Sequence, residues 1–261
     1  MSPKEAEKTP FTYITLVNIS PTIREALKKS GNSLQDTVDS SQDLSGIDYL
    51  RWSLGLLVPV KYKHREGPTS EKPGRILKHL IDRLEGYDFR LFVDDVEVFK
   101  PIYFPSYGQR SVGGWKYGKD WAIYTFKESL LNAGLTFSGY IVNQRSMIVP
   151  RELQGILIRI KDVGVGQFRK DIVGPRHSSG VFPTTISGEV CVDAGLEEAL
   201  TFDRAGFRES DPHYQALTNW LENKVRTIKS DFWERGRVRS EGKREERTAS
   251  VQQKIISTIG G

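Results

Sequence analysis

Apolar and polar positions change rhythm several times along this chain, and each rhythm predicts an element. Phe11 to Ile19, FTYITLVNI, is dense in β-branched and aromatic residues and predicts a strand. Ser20-Pro21 then opens a helix that runs to about Lys29, with Ser20 as its cap, and Gly31 stops it. Ile47 to Leu57, carrying Leu50, Trp52, Leu54 and Leu57, predicts a short buried helix, and Ile76, Leu77, Leu80, Ile81 and Leu84 form a second helical stripe. Val58 to Lys63 reads as an edge strand beginning near Pro59. Tyr87 to Val93 and Val96 to Phe99 alternate around Asp94-Asp95, the pattern of a hairpin. A tight turn accounts for that pair of carboxylates without acid/base or metal chemistry.

Further strands are expected at Trp121 to Lys127, Ser138 to Val142, Ile156 to Ile160 and Glu189 to Val192. Asn32 to Ser45, Arg65 to Gly74 and Ile102 to Lys119 are rich in polar and turn-forming residues and predict loops. Asp211-Pro212 supplies a cap and a first helical residue, and Tyr214, Leu217, Trp220, Leu221 and Val225 keep the helical period after it. Strands in clusters, separated by single helices and closed by a long one, predict an α/β fold, an α+β sandwich with helices packed on a sheet. On this reading residues 1–10 are a disordered N-terminal segment and 11–186 the α/β domain. Residues 187–240 are a loop and long C-terminal helix of the same unit, and 241–261 a charged polar tail.

Composition narrows the field. The chain has 261 residues, 38% hydrophobic and 27% charged, and its longest apolar runs fall well short of the roughly 20 residues that span a bilayer. No membrane association is expected. The first residues, MSPKEAEKTP, lack the apolar core of a signal peptide, and the single Cys191 has no internal disulfide partner, so a cytoplasmic location is expected. Cys191 falls inside a strand pattern, where a buried apolar role outweighs a nucleophilic one. The formal charge of +5 gathers between Lys224 and Arg247, but there the cations alternate with Asp231, Glu234, Glu241, Glu245 and Glu246. That mixture reads as a solvated helix laced with charge pairs. His64, His79, His177 and His213 show no metal-binding spacing, Ser178-Ser179-Gly180 lacks the setting of a nucleophile elbow, and no P-loop occurs.

The stretch from Ser187 to Leu221 is where these elements meet. A strand ends at Val192-Asp193, Gly195 breaks it, and a short turn carries Leu196, Ala199 and Leu200. Asp203-Arg204 follows before the helix at Asp211-Pro212-His213-Tyr214, so Arg204 falls in an irregular connection between two ordered elements. At these residues the chain resembles the middle, or transducer, region of ninety-kilodalton heat-shock-type ATPases, in the wider superfamily of gyrase, MutL, histidine kinases and heat-shock chaperones. In those chaperones the loop runs Leu, three residues, Arg, and the arginine reaches the γ-phosphate of ATP bound in the preceding domain. Leu200 and Arg204 stand at that spacing.

The resemblance implies a transducer-like domain that is part of an ATPase and inactive without its nucleotide-binding domain. ATP and Mg would be held mainly by that N-terminal domain, and Arg204, assisted by Arg208, would reach the γ-phosphate. It further implies a client protein or DNA as the object of the resulting clamp, with a homodimer compatible with it. At the other end of the chain Thr9-Pro10 stands where the family's junction carries Gly-Thr.

A competing placement within the same superfamily rests on Asp162-Val-Gly164-Val-Gly166, which matches the DxGxG of the nucleotide-binding domain. Glu128 and Asn132, four apart, would then imitate the helix that supplies a general base and a magnesium ligand. Against this, Phe126 to Gly139 reads as strand, loop and strand, with Gly134 interrupting any helix. No glycine-rich lid follows Gly166. A reading from a different class is a nucleic-acid-binding or scaffold protein that uses the basic C-terminal helix.

Overall fold

Capping residues set where the helices begin. In the computed structural model, α1 spans Pro21–Lys28 behind the Ser20 hydroxyl, which accepts from the Ile23 amide. The next helix, α2 (Gly46–Leu57), starts behind Ser45, which accepts from the Asp48 amide in the same way. Residues 12, 14, 15, 17–33, 41–62, 78–87, 89–100, 111–112, 115–116, 121–144, 147–173 and 182–259 are described. The expected N-terminal segment 1–10, the loop at 65–74, most of 102–119 and Ser178-Ser179-Gly180 lie outside them.

Helix α3 (Lys78–Glu85) precedes a hairpin of β1 (Leu91–Val93) and β2 (Val96–Val98). Asp94 and Asp95 both take positive φ, 53° and 59°, as a two-residue turn of this hand requires. A second small hairpin pairs β3 (Ser111–Val112) with β4 (Trp115–Lys116), inside a stretch expected to be loop. The main sheet consists of β5 (Trp121–Leu130), β6 (Leu135–Gln144), β7 (Gly155–Ile160), β8 (Val163–Arg169) and β9 (Ile186–Ala194). Its spatial order is β5-β6-β9-β7-β8. The late strand β9 enters between two hairpins, antiparallel to β6 and parallel to β7. The chain is thus an α/β fold.

Period-two alternation gives this sheet two buried faces. Phe137 and Ile141 of β6, Ile156, Ile158 and Ile160 of β7, and Val190 and Val192 of β9 pack against Tyr214, Leu217, Leu221, Val225 and Ile228 of α4 (Pro212–Ile259). Trp220 of α4 adds ring contacts to Phe126 and Phe137, with centroids 5.0 and 4.9 Å away. Across the sheet, Tyr140, Val142, Leu157, Phe168 and Cys191 meet Trp52 and Leu56 of α2 and Leu80 of α3. The result is three layers, with β9 central to both cores.

Two expected strands do not form, each for a physical reason, and the helix runs further than expected. The described residues between 12 and 19 form no strand: Ile14 and Val17 are exposed and Asn18 takes φ 55°. β-propensity without a ladder partner does not make a strand. Val58 to Lys63 contributes a single bridge, Tyr62 to Lys100, among its described residues. The charged tail is helical, because α4 continues unbroken to Ile259. With 48 residues this helix is about 70 Å long. Tyr124 bonds Asp231 at 2.9 Å, and beyond it Trp233, Val238 and Val251 are exposed. Among the described residues no helix is long and apolar enough to cross a membrane.

Candidate functional site

The loop that carries Arg204 is built from buried anchors outward. Gly195, at φ 93°, turns the chain away from β9, and its amide and that of Leu196 donate to Glu197 at 3.0 and 3.1 Å. Leu196 and Ala199 then sink into the core beneath α4. Leu200 and Phe207 face each other as an antiparallel bridge, and Phe207 stacks on Tyr214 at 4.9 Å, which ties the end of the loop to the first turn of α4. That turn is capped as expected, because Asp211 accepts from the amides of His213 and Tyr214 at 2.9 and 3.2 Å.

Between Leu200 and Phe207 the backbone folds onto itself. The Thr201 amide donates to the Gly206 carbonyl at 3.0 Å, and the Gly206 amide donates to the Thr201 hydroxyl at 3.1 Å. Asp203 accepts from the Thr201 hydroxyl at 2.7 Å and from the Ala205 amide at 3.1 Å. Those bonds hold its carboxyl below the usual range. Arg204 sits at the apex with φ 55°, its own amide bonded to the Thr201 carbonyl at 2.9 Å. A non-glycine residue in this region costs about 1–3 kcal/mol unless its surroundings fix it, and such strain gathers at functional sites.

The Arg204 side chain is exposed and, among the described residues, makes no hydrogen bond or ion pair. Phe202, two residues before it, is 107% exposed. The backbone at the apex is fixed while the side chains are free. Arg208 behaves differently. Its guanidinium turns back to the Glu198 carbonyl and to Asp211, the latter at 3.6 Å, so it braces the loop on which Arg204 stands.

The alternative nucleotide pocket is not assembled. Glu128 lies in strand β5 and Asn132 in the 3-10 turn Leu131–Ala133, so the two do not share a helix face. Asp162 is buried in the β7–β8 turn, where it binds Arg83 at 2.7 Å and the Tyr87 hydroxyl at 2.9 Å. Arg83 also pairs with Asp193; burial alone would lower its pKa, but the two carboxylates raise it. Gly164 and Gly166 belong to strand β8, with Leu57 packed over the first and the Ala205 carbonyl over the second. The glycines let a helix and the arginine loop approach the sheet, a role the residue type also serves at a phosphate.

Sequence reasoning missed a polar cluster on the opposite face. Arg159 of β7 and Glu189 of β9 are 1% and 0% exposed and form a direct ion pair. Glu189 also accepts from the Tyr140 hydroxyl at 2.8 Å and the Tyr62 hydroxyl at 3.5 Å. Arg159 donates further to the carbonyls of Leu56, Leu57 and Asp162, at 2.6, 3.4 and 3.2 Å. Two of those are orphan carbonyls in the last turn of α2, so this arginine caps the helix from within the sheet.

Nearby, Lys100 donates to the Val58 carbonyl at 3.3 Å and lies over the Tyr62 ring. Burial, with repulsion from Arg159, brings its ammonium down to about 7. Burial raises the Glu189 pKa, but Arg159 and Lys100 outweigh it and leave the carboxyl below its ordinary range. Cys191 is buried beside them, its thiol pushed up to about 12 by desolvation, which suits packing and not nucleophilic attack. The available signal was a charged residue inside an otherwise apolar strand, as in ILIRI and GEVCV.

Among the described residues no group of three or more His, Cys, Asp or Glu is gathered to hold a metal ion. No family model matches the chain, and no curated protein matches it.

Proposed function

We propose that this chain is a transducer module of a heat-shock-chaperone-like ATPase. In this role it supplies Arg204 to the γ-phosphate of ATP held by a separate nucleotide-binding domain, and so couples nucleotide state to a conformational change. The observation that carries the reading is the contrast at the loop apex, a guanidinium without a partner among the described residues on a backbone fixed by hydrogen bonds. With the backbone already fixed, only the side chain is ordered when a phosphate arrives, and its charge acts more strongly there because the docked site excludes water.

In this mechanism the adenine and magnesium contacts belong to the nucleotide-binding domain, which also carries the attacking water. Arg204 donates a bidentate pair of hydrogen bonds to γ-phosphate oxygens as charge develops on them. Docking is favoured with ATP and is lost after hydrolysis, which shifts the population of docked and open states. The object of the clamp is a client protein or DNA. A cytoplasmic location belongs to the same proposal.

The test joins this chain to a nucleotide-binding domain and measures ATP turnover and affinity separately. Arg204→Ala lowers turnover by roughly 10³-fold with ATP affinity nearly unchanged. Arg204→Lys recovers only part of it, since a point charge lacks the planar fork. Wild-type turnover in Arg204→Ala removes the assignment. The chain alone neither binds nor hydrolyses ATP; calorimetry with ATP and magnesium checks this, and micromolar binding lost in Asp162→Ala would restore the competing pocket.

A further inference from the structure

A cleft of about 960 Å³ opens between α2, the turn Arg151–Leu153, strand β8 and the outer shoulder of the arginine loop at Ala205 to Phe207. Its lining combines three chemistries. Leu56, Leu157 and Phe168 give it a buried apolar floor continuous with the core beneath α2. Tyr49 stands on one wall, half exposed and stacked on Trp52 with centroids 6.3 Å apart and the rings 19° from parallel. Arg151 and Lys170 stand on the rim, both exposed.

The charges around this cleft are unequal in availability. The carboxylate of Asp171 is taken by Arg169, whose bond holds its pKa below the ordinary range. Glu152 accepts from both the amide and the hydroxyl of Ser41, at 3.0 and 2.7 Å. Arg169 is itself spent on Asp171 and Glu209. Arg151 and Lys170 have no hydrogen-bond or ion-pair partner among the described residues. Among the described residues the charged side chains of this lining without a bonded partner are therefore the two cations, Arg151 and Lys170, above an apolar and aromatic floor, while Glu152 keeps its charge but turns one oxygen to Ser41 and buries the other.

We infer that this cleft is a docking groove for an extended acidic segment of a partner protein, in which apolar side chains enter over Tyr49 and Phe168 while flanking carboxylates meet Arg151 and Lys170. Charge complementarity selects this occupant. Two cations without partners among the described residues, at the edge of an apolar floor, suit carboxylates beside hydrophobic residues, whereas a nucleic-acid backbone calls for a longer row of cations. Binding proceeds through side chains and not through an added strand, because β8 bends at Gly166, where φ is 67° and the Ala205 carbonyl is seated. The inference is independent of the role assigned to Arg204.

The test uses the full chain and a fluorescein-labelled peptide of sequence Glu-Asp-Leu-Phe-Asp-Glu, followed by fluorescence anisotropy. Saturable binding is expected. It weakens by about ten-fold when Arg151 and Lys170 are both replaced by Glu, and it weakens with added salt. Tyr49→Ala, at an exposed position that leaves the fold intact, weakens it by about five-fold. Replacing the carboxylates of the peptide by amides, or Leu-Phe by Ser-Ser, abolishes it. Equal binding of the Ser-Ser peptide reduces the contact to nonspecific charge attraction and overturns the inference. Unchanged affinity in the Arg151→Glu/Lys170→Glu protein overturns it too. So does self-association in sedimentation that the same double substitution abolishes, which would make the occupant a second copy of this chain.

Discussion

Arg159 and Arg204 stand on the same α/β scaffold and show opposite uses of one side chain. Arg159 is removed from water, paired with Glu189, and bonded to three backbone carbonyls. Arg204 is exposed with no partner among the described residues, and what is fixed is its backbone. A buried guanidinium with all three nitrogens engaged organises a fold, since removing its partner strands a charge in low dielectric. An exposed guanidinium on a rigid apex organises nothing in its own chain and is free for another molecule. Availability, and not residue type, separates the two arginines here.

The comparison breaks most visibly at the buried pair. Arg159→Ala removes the direct ion-pair partner of the buried Glu189 and uncaps α2, so a loss of about 3–5 kcal/mol in urea unfolding is expected. That is a large share of the roughly 5–15 kcal/mol available to a domain. A loss below about 1 kcal/mol would mean that the cluster is hydrated and that the contrast is overstated.

Lys100 sharpens the same region through pH. Its folded pKa, about 7, lies below the ordinary 10.5, so the unfolded chain holds more protons between those values and stability rises with pH. Below about 7 the penalty is fully present; as pH climbs it is relieved. From pH 7 to 9 the gain is about 2 kcal/mol, before the Cys191 thiol, ordinarily near 9.0, begins to oppose it. Lys100→Met should raise the melting temperature at pH 7 and flatten this rise, and an unchanged slope would assign it to another group.

At the loop, Gly166→Ala places a Cβ 2.6 Å from the Ala205 carbonyl at φ 67°. The expected loss is about 1–2 kcal/mol, with faster amide exchange between Thr201 and Gly206. Exchange unchanged across those amides would show that the loop does not rest on β8. The smallest effect is the most telling. Arg204→Ala should change unfolding free energy by no more than about 0.5 kcal/mol, as surface substitutions without partners do. A loss above 1 kcal/mol would make Arg204 a second structural arginine.

Much of the architecture was legible because it depends on neighbours in the chain. Ser20, Asp211-Pro212 and Asp94-Asp95 fix their caps and turn through bonds a few residues long. Strand β8 was not legible: Val163 to Arg169 carries two glycines and reads as a nucleotide motif. Only its pairing with β7 makes it a strand. The spacing of Leu200 and Arg204 was readable, and so was the placing of Arg204 between strand and helix. The rigidity of the apex was not, because it arises from contacts between Thr201, Asp203 and Gly206 that close only when Leu196, Ala199 and Phe207 are anchored.

The sequence by itself determined the local rhythm of this protein, with its capped helices, its hairpin turn and the short connection that holds Arg204, since each follows from steric and hydrogen-bonding preferences over a few residues. Only the tertiary structure decided that β9 enters between β6 and β7, that Arg159 and Glu189 meet inside, and that α4 runs on past the bond from Tyr124 to Asp231. It also left Thr12 to Ile19 without a strand among its described residues. Those outcomes depend on partners far away in the chain, and a pattern of single residues does not record which distant groups will satisfy a charge, a carbonyl or a strand edge.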